Sequence, residues 1–364
     1  MKHFLFILLF ISIPFSGTSQ DVSKLTNLDD TVSETSGLVF FDDRLITHND
    51  SGGLNALFEL NVSDGNVSRT VTIQNATNID WEDICTDDDY IYIGDFGNNS
   101  GNRTNLRIYK VLKSDYLNSE VVNAEIIAFS YMDQNDFASA PNNTNFDAEA
   151  LISFGNELYI FTKNWVDQRT NIYKVPKTAG TYSIQKIDDF DAEGLITGGT
   201  FNPGANKVIL TGYSGIRAFA VELTGFSGGK FSNGLIEKYS LGIPLTESFQ
   251  TEAVTYRDAS NYYLSAEKNA LGSAALYSLV SSTLSISDFD LVKNQVYPNP
   301  AGETLTIKGN MVLEKAEIYD YLGKKVFEDT SGTKHIDLSE FPTGVYILKL
   351  YSLDRSSSVK FLKE

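Results

Sequence analysis

Residues 146–152 read Phe-Asp-Ala-Glu-Ala-Leu-Ile, and residues 190–196 read Phe-Asp-Ala-Glu-Gly-Leu-Ile. Weaker copies of this opening, an acidic residue followed by small and apolar residues, lie on both sides of the pair. The glutamates recur at intervals of 48, 67, 44 and 59 residues, at Glu34, Glu82, Glu149, Glu193 and Glu252. A repeat of this length in a strand-rich sequence is typical of the blades of a β-propeller.

The first repeat shows the expected blade pattern. Residues 39–41, 44–47, 56–60 and 67–73 form four short apolar or alternating runs, separated by Asp, Asn and Gly. Such runs predict four antiparallel strands in each repeat. We therefore expect five blades, or six if the segment between Tyr109 and Phe146 hides a degenerate one. The strand that closes the ring could come from residues 283–286 or from residues 22–28, and the sequence leaves both open.

Composition supports an all-β exported protein. Aromatic residues make up 12% of the 364 residues, which favours strands. The net charge of −18 repels phosphate backbones, so a nucleic-acid partner is not expected. Lys2 and His3 precede an apolar run at 4–15 and small residues at Gly17 and Ser19, which predicts a signal peptide cleaved after Ser19. No other stretch is long enough to be a transmembrane helix.

After residue 288 the composition changes. Seven short strands are expected in about 70 residues, which predicts a small immunoglobulin-like β-sandwich. The motifs at 297–300 (Tyr-Pro-Asn-Pro), 318–324 (Ile-Tyr-Asp-Tyr-Leu-Gly-Lys) and 344–347 (Gly-Val-Tyr-Ile) resemble those of the type A sorting domain of the type IX secretion system. The resemblance implies that the type IX machinery is a partner. It also implies passage through the periplasm and across the outer membrane, and removal of the domain with release or surface attachment.

The predicted organisation thus has four parts. A signal peptide at 1–19 precedes a β-propeller at 20–288, a linker at 289–295 and a sorting domain at 296–364. The mature protein is expected to be secreted or displayed on the outer-membrane surface.

The repeated hairpin also predicts a site. About 13 to 15 residues separate each glutamate from the end of the return strand in four repeats, which brings both to the same end of adjacent strands. Because the first strand of a blade lines the central channel, the five glutamates are expected to ring one mouth of that channel. Just outside this ring, the hairpin places five candidate binding residues: His48, Asp95, Lys163, Tyr213 and Glu267.

Converging carboxylates repel one another and need protons or cations, and calcium favours oxygen ligands in a flexible geometry. We therefore expect a calcium site at the five glutamates. The alternative interpretation is that each glutamate caps backbone amides of a neighbouring blade and fastens the ring. Both interpretations stay open, and they can coexist.

Residues 34–50 and 81–98 resemble, over a short pattern, segments of calcium-dependent apyrases, which are five-bladed propellers. The blades also resemble uncharacterised propellers that accompany this sorting domain. No catalytic position is carried over. The sequence favours a ligand- or glycan-binding module with a central calcium site. The alternative is a calcium-dependent hydrolase of phosphoester, nucleotide or glycoside substrates, in which Asp147/Glu149 or Asp191/Glu193 act as acid and base.

Overall fold

The computed structural model describes residues 21–281, 295–308, 313–320, 323–352 and 355–364. The predicted signal peptide, nearly all of the predicted linker and the candidate closing strand at 283–286 lie outside these residues. The chain forms two compact units, which divide between Ser282 and Thr283. Both units are built from β-sheets.

The N-terminal unit begins with β1 (Asp21–Asn27) and a 3-10 turn (Asp30–Val32). The first sheet then contains β2 (Thr35–Phe41), β3 (Arg44–Asn49), β4 (Ala56–Leu60) and β5 (Val67–Ile73). The second contains β6 (Trp81–Thr86), β7 (Tyr90–Asp95), β8 (Arg107–Leu112) and β10 (Glu125–Tyr131). Between β8 and β10 the chain forms α1 (Lys113–Asn118) and β9 (Val121–Val122), which joins the first sheet.

The third sheet contains β11 (Ala148–Phe154), β12 (Glu157–Thr162), β13 (Arg169–Pro176) and β15 (Lys186–Asp191). Between β13 and β15 the chain forms β14 (Gly180–Ile184), which joins the second sheet. The fourth contains β16 (Leu195–Asn202), β17 (Lys207–Ser214), β18 (Arg217–Thr224), a 3-10 turn (Phe231–Asn233) and β19 (Leu235–Ser240). The fifth contains β20 (Thr251–Tyr256), β21 (Asn261–Ala266) and β22 (Ala275–Val280).

Two strands cross from one sheet to the next. β9 adds in parallel to β5 of the first sheet, and β14 adds in parallel to β10 of the second. The segment between Tyr109 and Phe146 therefore extends existing sheets and, within the described residues, forms no sheet of its own.

The fifth sheet takes its fourth strand from the start of the described chain. β1 pairs antiparallel with β22, with Val22 opposite Leu279. The first strands of the five sheets contact one another in a cycle, β2 with β6, β11, β16, β20 and back to β2. Of the two closing strands that the sequence allowed, the structure uses the N-terminal one.

The inner strands approach closely because small residues lie where they meet. A Cβ on Gly198 would lie 2.3 Å from the backbone oxygen of Glu252, so β16 and β20 can only be this close with glycine there. Apolar side chains fill the space between successive sheets, in clusters such as that around Trp81, Tyr109 and Tyr116. This packing holds the first strands, and the side chains at their starts, in fixed positions.

The C-terminal unit has two sheets around one core. The first consists of β23 (Gln295–Tyr297), β24 (Thr304–Lys308) and β27 (His335–Asp337). The second consists of β25 (Lys315–Asp320), β26 (Lys325–Asp329), β28 (Gly344–Ser352) and β29 (Arg355–Lys363). Leu305 and Ile336 of one sheet and Ile318 and Leu348 of the other share a single apolar cluster, as the β-sandwich prediction requires.

Candidate functional site

Each first strand has a one-residue register shift near its start, and this shift decides which side chains are equivalent. The extra residues are Ser36, Glu82, Glu149, Thr197 and Glu252. A bulge of this kind redirects the side chain of the extra residue. The five equivalent positions therefore hold three glutamates, one serine and one threonine.

Two of the five glutamates expected in the ring occupy other positions. Glu193 is exposed, has a positive φ of 50° and lies in the loop that leads into β16. Glu34 is exposed and lies two residues before Ser36, which makes it the counterpart of Asp80 and Asp147. The two near-identical heptads are thus offset by four residues in the structure, because Thr197, not Glu193, corresponds to Glu149.

Three of the five candidate binding residues meet at one end of the ring, which we call the mouth. Lys163, Tyr213 and Glu267 occupy corresponding positions at or just beyond the ends of second strands, level with the starts of the first strands. The counterpart in the first sheet is Asp50, whose N–H donates to the backbone oxygen of Glu34. The sequence pattern did not indicate Asp50, because it predicted His48, two residues earlier, at this position.

The surroundings of the other two candidates, His48 and Asp95, give them structural roles. His48 is buried, its ring packs on Trp81 at 5.6 Å between centroids, and burial lowers its pKa to about 4. Asp95 is buried and accepts from Arg103 at 2.9 Å and from the backbone N–H of Asp80 at 3.2 Å. His48 therefore belongs to the core, and Asp95 supports the strand start beside the mouth.

One side of the mouth is a group of carboxylates. Oxygen atoms of Asp50, Asp80 and Glu82 all lie within 4.8 Å of one another. Glu82 is only 7% exposed, and within the part of the chain that the structure describes no group donates a hydrogen bond to its carboxylate. Space for these groups depends on Gly97, since a Cβ there would lie 1.9 Å from Glu82 Oε1 and 2.5 Å from Asp80 Oδ2.

Burial and mutual repulsion shift the pKa values of this group. Burial, reinforced by Glu149 and Asp50, raises the pKa of Glu82 well above its usual range. Burial and the neighbouring Asp80 raise the pKa of Asp50 to about 7. Burial raises that of Asp80 to about 6, although the Arg103 guanidinium opposes the change. The three carboxyl groups therefore have too few positive charges near them to balance their ionised forms.

The other side of the mouth surrounds Lys163. Its Nζ lies 3.0 Å from Glu149 Oε1. The same atom lies over the rings of Trp165 and Tyr213, 5.0 and 5.6 Å from their centroids. Burial raises the pKa of Glu252 to about 8, although the Lys163 ammonium opposes the change. Lys163 thus pairs directly with a carboxylate on this side, whereas of the three carboxylates on the other side Arg103 reaches only Asp80, at 3.9 Å.

The neighbouring Asp147 is fully paired. It accepts from the backbone N–H of Asn98 at 2.5 Å and from the indole N–H of Trp165 at 2.8 Å. These bonds fix both Asp147 and Trp165 at the edge of the mouth. The other tryptophan, Trp81, is completely buried.

Fastening of the ring is performed largely by other residues. The Asp83 carboxylate accepts from the backbone N–H groups of Leu151 at 2.8 Å and Gly199 at 3.1 Å, which belong to the third and fourth sheets. The Ser36 hydroxyl donates to the backbone oxygen of Glu82 at 2.6 Å. Asp83, adjacent to Glu82, thus ties three sheets together and leaves Glu82 free to face the mouth.

Comparison with known proteins assigns the C-terminal unit. Residues 295–364 match the family model described as the secretion system C-terminal sorting domain. The chain therefore carries a type IX sorting domain, which implies interaction with that secretion system and export to the cell surface or release. Among the described residues, no helix is long and apolar enough to cross a membrane.

One curated relative matches part of the chain. An ulvan lyase of Nonlabens ulvanivorans is 30% identical over 116 residues, which cover 30% of this chain and 21% of the lyase. The chain thus spans about a fifth of the length of this relative.

Two solved structures are among those to which the chain shows some similarity. A PQQ-bound aldose sugar dehydrogenase from Streptomyces coelicolor is 10% identical with a TM-score of 0.41, over 72% of this chain and 99% of the other. PorZ, a surface component of the type IX secretion system of Porphyromonas gingivalis, is 14% identical with a TM-score of 0.38. That match covers 91% of this chain and 45% of PorZ.

Proposed function

We propose that the N-terminal unit is a five-bladed propeller that binds calcium at its mouth and takes a ligand there after export. The observation that carries the proposal is Glu82. Its carboxyl group is 7% exposed, has no hydrogen-bond donor among the described residues and lies near Glu149, Asp50 and Asp80, so its ionised form needs a cation.

The size of the repulsion supports a divalent ion. Two carboxylates less than 4.8 Å apart repel by about 3 kcal/mol at an effective dielectric constant near 20, and Asp50, Asp80 and Glu82 form three such pairs. Their oxygen donors suit calcium, which takes six to eight oxygen ligands in a flexible geometry. Three carboxylates leave coordination positions for water or for oxygens of a ligand.

The ligand is proposed to be a glycan or a protein surface, with no reaction required. The partial relationship to an ulvan lyase supports the glycan option. Trp165 and Tyr213 offer partly exposed rings at the mouth for such a ligand.

Thermal melting in the presence of chelator and of calcium tests the metal site. We expect the melting temperature to fall with chelator and recover with calcium, because the unfolded chain lacks the site. Glu82→Gln should abolish this response. Glu193→Gln is the matched control, since Glu193 is exposed and lies four residues before Thr197, the residue equivalent to Glu82.

A calcium response that survives Glu82→Gln would place the ion elsewhere. A purified protein that contains no metal and melts identically in both conditions would remove the proposed site.

A calcium-dependent hydrolase is the second candidate, and the pairing of Asp147 with Glu149 favours it. Both carboxyl groups lie at the mouth, and burial raises the pKa of each. A carboxyl group whose pKa is raised is suited to act as a general acid. A phosphoesterase and glycosidase screen with and without chelator tests this candidate, with Glu149→Gln as the variant that should abolish any activity.

A further inference from the structure

The strand order assigns every loop of the propeller to one of two ends. First strands lead away from the mouth and second strands return to it, where Asp50, Lys163 and Glu267 follow them. The loops that join second to third strands, and those that lead into the next first strand, therefore lie at the mouth end. The hairpins between first and second strands lie at the opposite end.

Exposed aliphatic side chains are concentrated on the mouth-end loops. Leu54 and Val166, 62% and 60% exposed, follow second strands of the first and third sheets. Ile216 and Leu271 occupy the same loop of the fourth and fifth sheets, and Ile79 and Leu245 precede first strands. We call these six residues the apolar rim.

The hairpins between first and second strands, at the opposite end, differ. The hairpins at 42–43, 87–89, 155–156, 203–206 and 257–260 carry no exposed large apolar side chain within the described ranges, and two of them are runs of aspartate. Single exposed apolar residues are normal on a protein surface, but their concentration on one face marks an interaction site.

The rim surrounds a centre of negative charge. The mouth contains two basic side chains, Lys163 and Arg103. It also contains seven carboxyl groups: Asp50, Asp80, Glu82, Asp147, Glu149, Glu252 and Glu267. With all seven carboxyl groups ionised, the formal charge of the mouth stays negative even with a divalent ion bound. A complementary ligand is therefore positively charged at its centre and apolar around it.

We infer that the mouth end docks a protein partner that presents apolar side chains around a protruding lysine or arginine. The inference rests on the proposed function in that both place the ligand at the mouth, and it selects a protein surface as that ligand. An anionic lipid surface would be repelled by the mouth carboxylates. A polysaccharide presents hydroxyl groups, which do not bury isolated aliphatic side chains.

Matched variants test the rim. The rim variant combines Leu54→Ser, Val166→Ser and Ile216→Ser. The control variant combines Leu235→Ser, Val121→Ser and Ile126→Ser, which removes the same three side-chain types from exposed positions on outer strands. The probe is a fluorescent peptide with a central arginine flanked by leucines. Two further peptides replace the arginine by glutamine or the leucines by serine.

We expect the full chain, with calcium present, to bind the first peptide more tightly than the other two. The rim variant should weaken this binding about tenfold, and the control variant should change it less than about twofold. Absence of peptide binding, or equal losses in the two variants, would overturn the inference.

Two further probes test whether the rim binds a lipid surface or a glycan in place of a protein. Binding to phosphatidylglycerol vesicles or to dextran that is lost in the rim variant, without peptide binding, would show that the rim takes lipid or glycan and would also overturn the inference. Calcium titration of the rim variant distinguishes this failure from that of the metal site, because Asp50, Asp80 and Glu82 are unchanged in it.

Discussion

Lys163 Nζ lies 3.0 Å from Glu149 Oε1, and both side chains are almost completely buried. The carboxylates of Glu149, Glu252 and Asp147 raise the pKa of Lys163 well above its usual value, although burial opposes this. Lys163 therefore stays charged and acts as the resident cation on its side of the mouth.

Replacing this cation should destabilise the propeller. Lys163→Met leaves Glu149 buried without its partner, and breaking a buried ion pair from one side costs about 3 to 5 kcal/mol. Urea denaturation measures the loss. The control is Lys268→Met, which removes an exposed pair with Asp30 and should cost less than about 1 kcal/mol. Equal effects of the two substitutions would contradict this account of the mouth.

Stability of the calcium-free protein should rise as the pH falls from about 8 to about 6.5. Burial is the main cause that raises the pKa of Glu252 to about 8 and those of Asp50 and Glu267 to about 7. The native state therefore binds more protons than the unfolded state in this range, so its stability increases with acidity. His48 opposes this trend near the acidic end of the range, because its native pKa of about 4 lies below the ordinary value of 6.5 and only the unfolded state binds its proton there.

Melting curves in chelator across this range check the sign. Glu252→Gln combined with Glu267→Gln should flatten the dependence. In calcium the trend should reverse, because the metal binds ionised carboxylates. A melting temperature that falls with acidity in chelator would show that the mouth carboxyl groups are already ionised.

Gly97→Ala should weaken calcium binding. The new methyl would lie 1.9 Å from Glu82 Oε1, so the carboxylate must move, and overpacking of this kind costs about 1 to 3 kcal/mol. Calcium titration and urea denaturation measure the two effects. Gly204→Ala is the control, because its nearest neighbour would be 3.4 Å away. Unchanged calcium affinity in Gly97→Ala would show that Glu82 does not bind the ion.

Deleting residues 21–27 should prevent the ring from closing. β22 would lose all of its pairing with β1 and become an unpaired edge, which favours aggregation. Circular dichroism and gel filtration should show loss of the cooperative melting transition. Deletion of Tyr297–Glu364 provides the comparison, since it leaves the N-terminal unit intact. A folded monomer without residues 21–27 would mean that β1 is dispensable.

The same deletion of Tyr297–Glu364 should abolish export. The sorting domain occupies residues 295–364, so the truncated chain should accumulate in the periplasm. Cell fractionation and protease accessibility of intact cells measure its location. Surface display of the truncated chain would show that export does not depend on this domain.

Local pattern was enough to predict the strands and the C-terminal unit. Alternating apolar runs between Asp, Asn and Gly turns define strands without reference to distant residues, and the motif at 297–300 identifies the sorting domain from a few adjacent side chains. The same local signal indicated Glu82, Glu149 and Glu252, because each opens its strand in the same way.

Only the tertiary structure decided the composition of the site. Glu193 copies Glu149 in sequence, yet a bulge places Thr197 at the equivalent position, and bulge placement depends on pairing with the next strand. Asp50 and Asp80 reach Glu82 from loops whose course depends on contacts between sheets. The closing strand was ambiguous for the same reason. Residues 21–27 pair with residues 275–280, which are far away in the sequence, so no local pattern predicts this pairing.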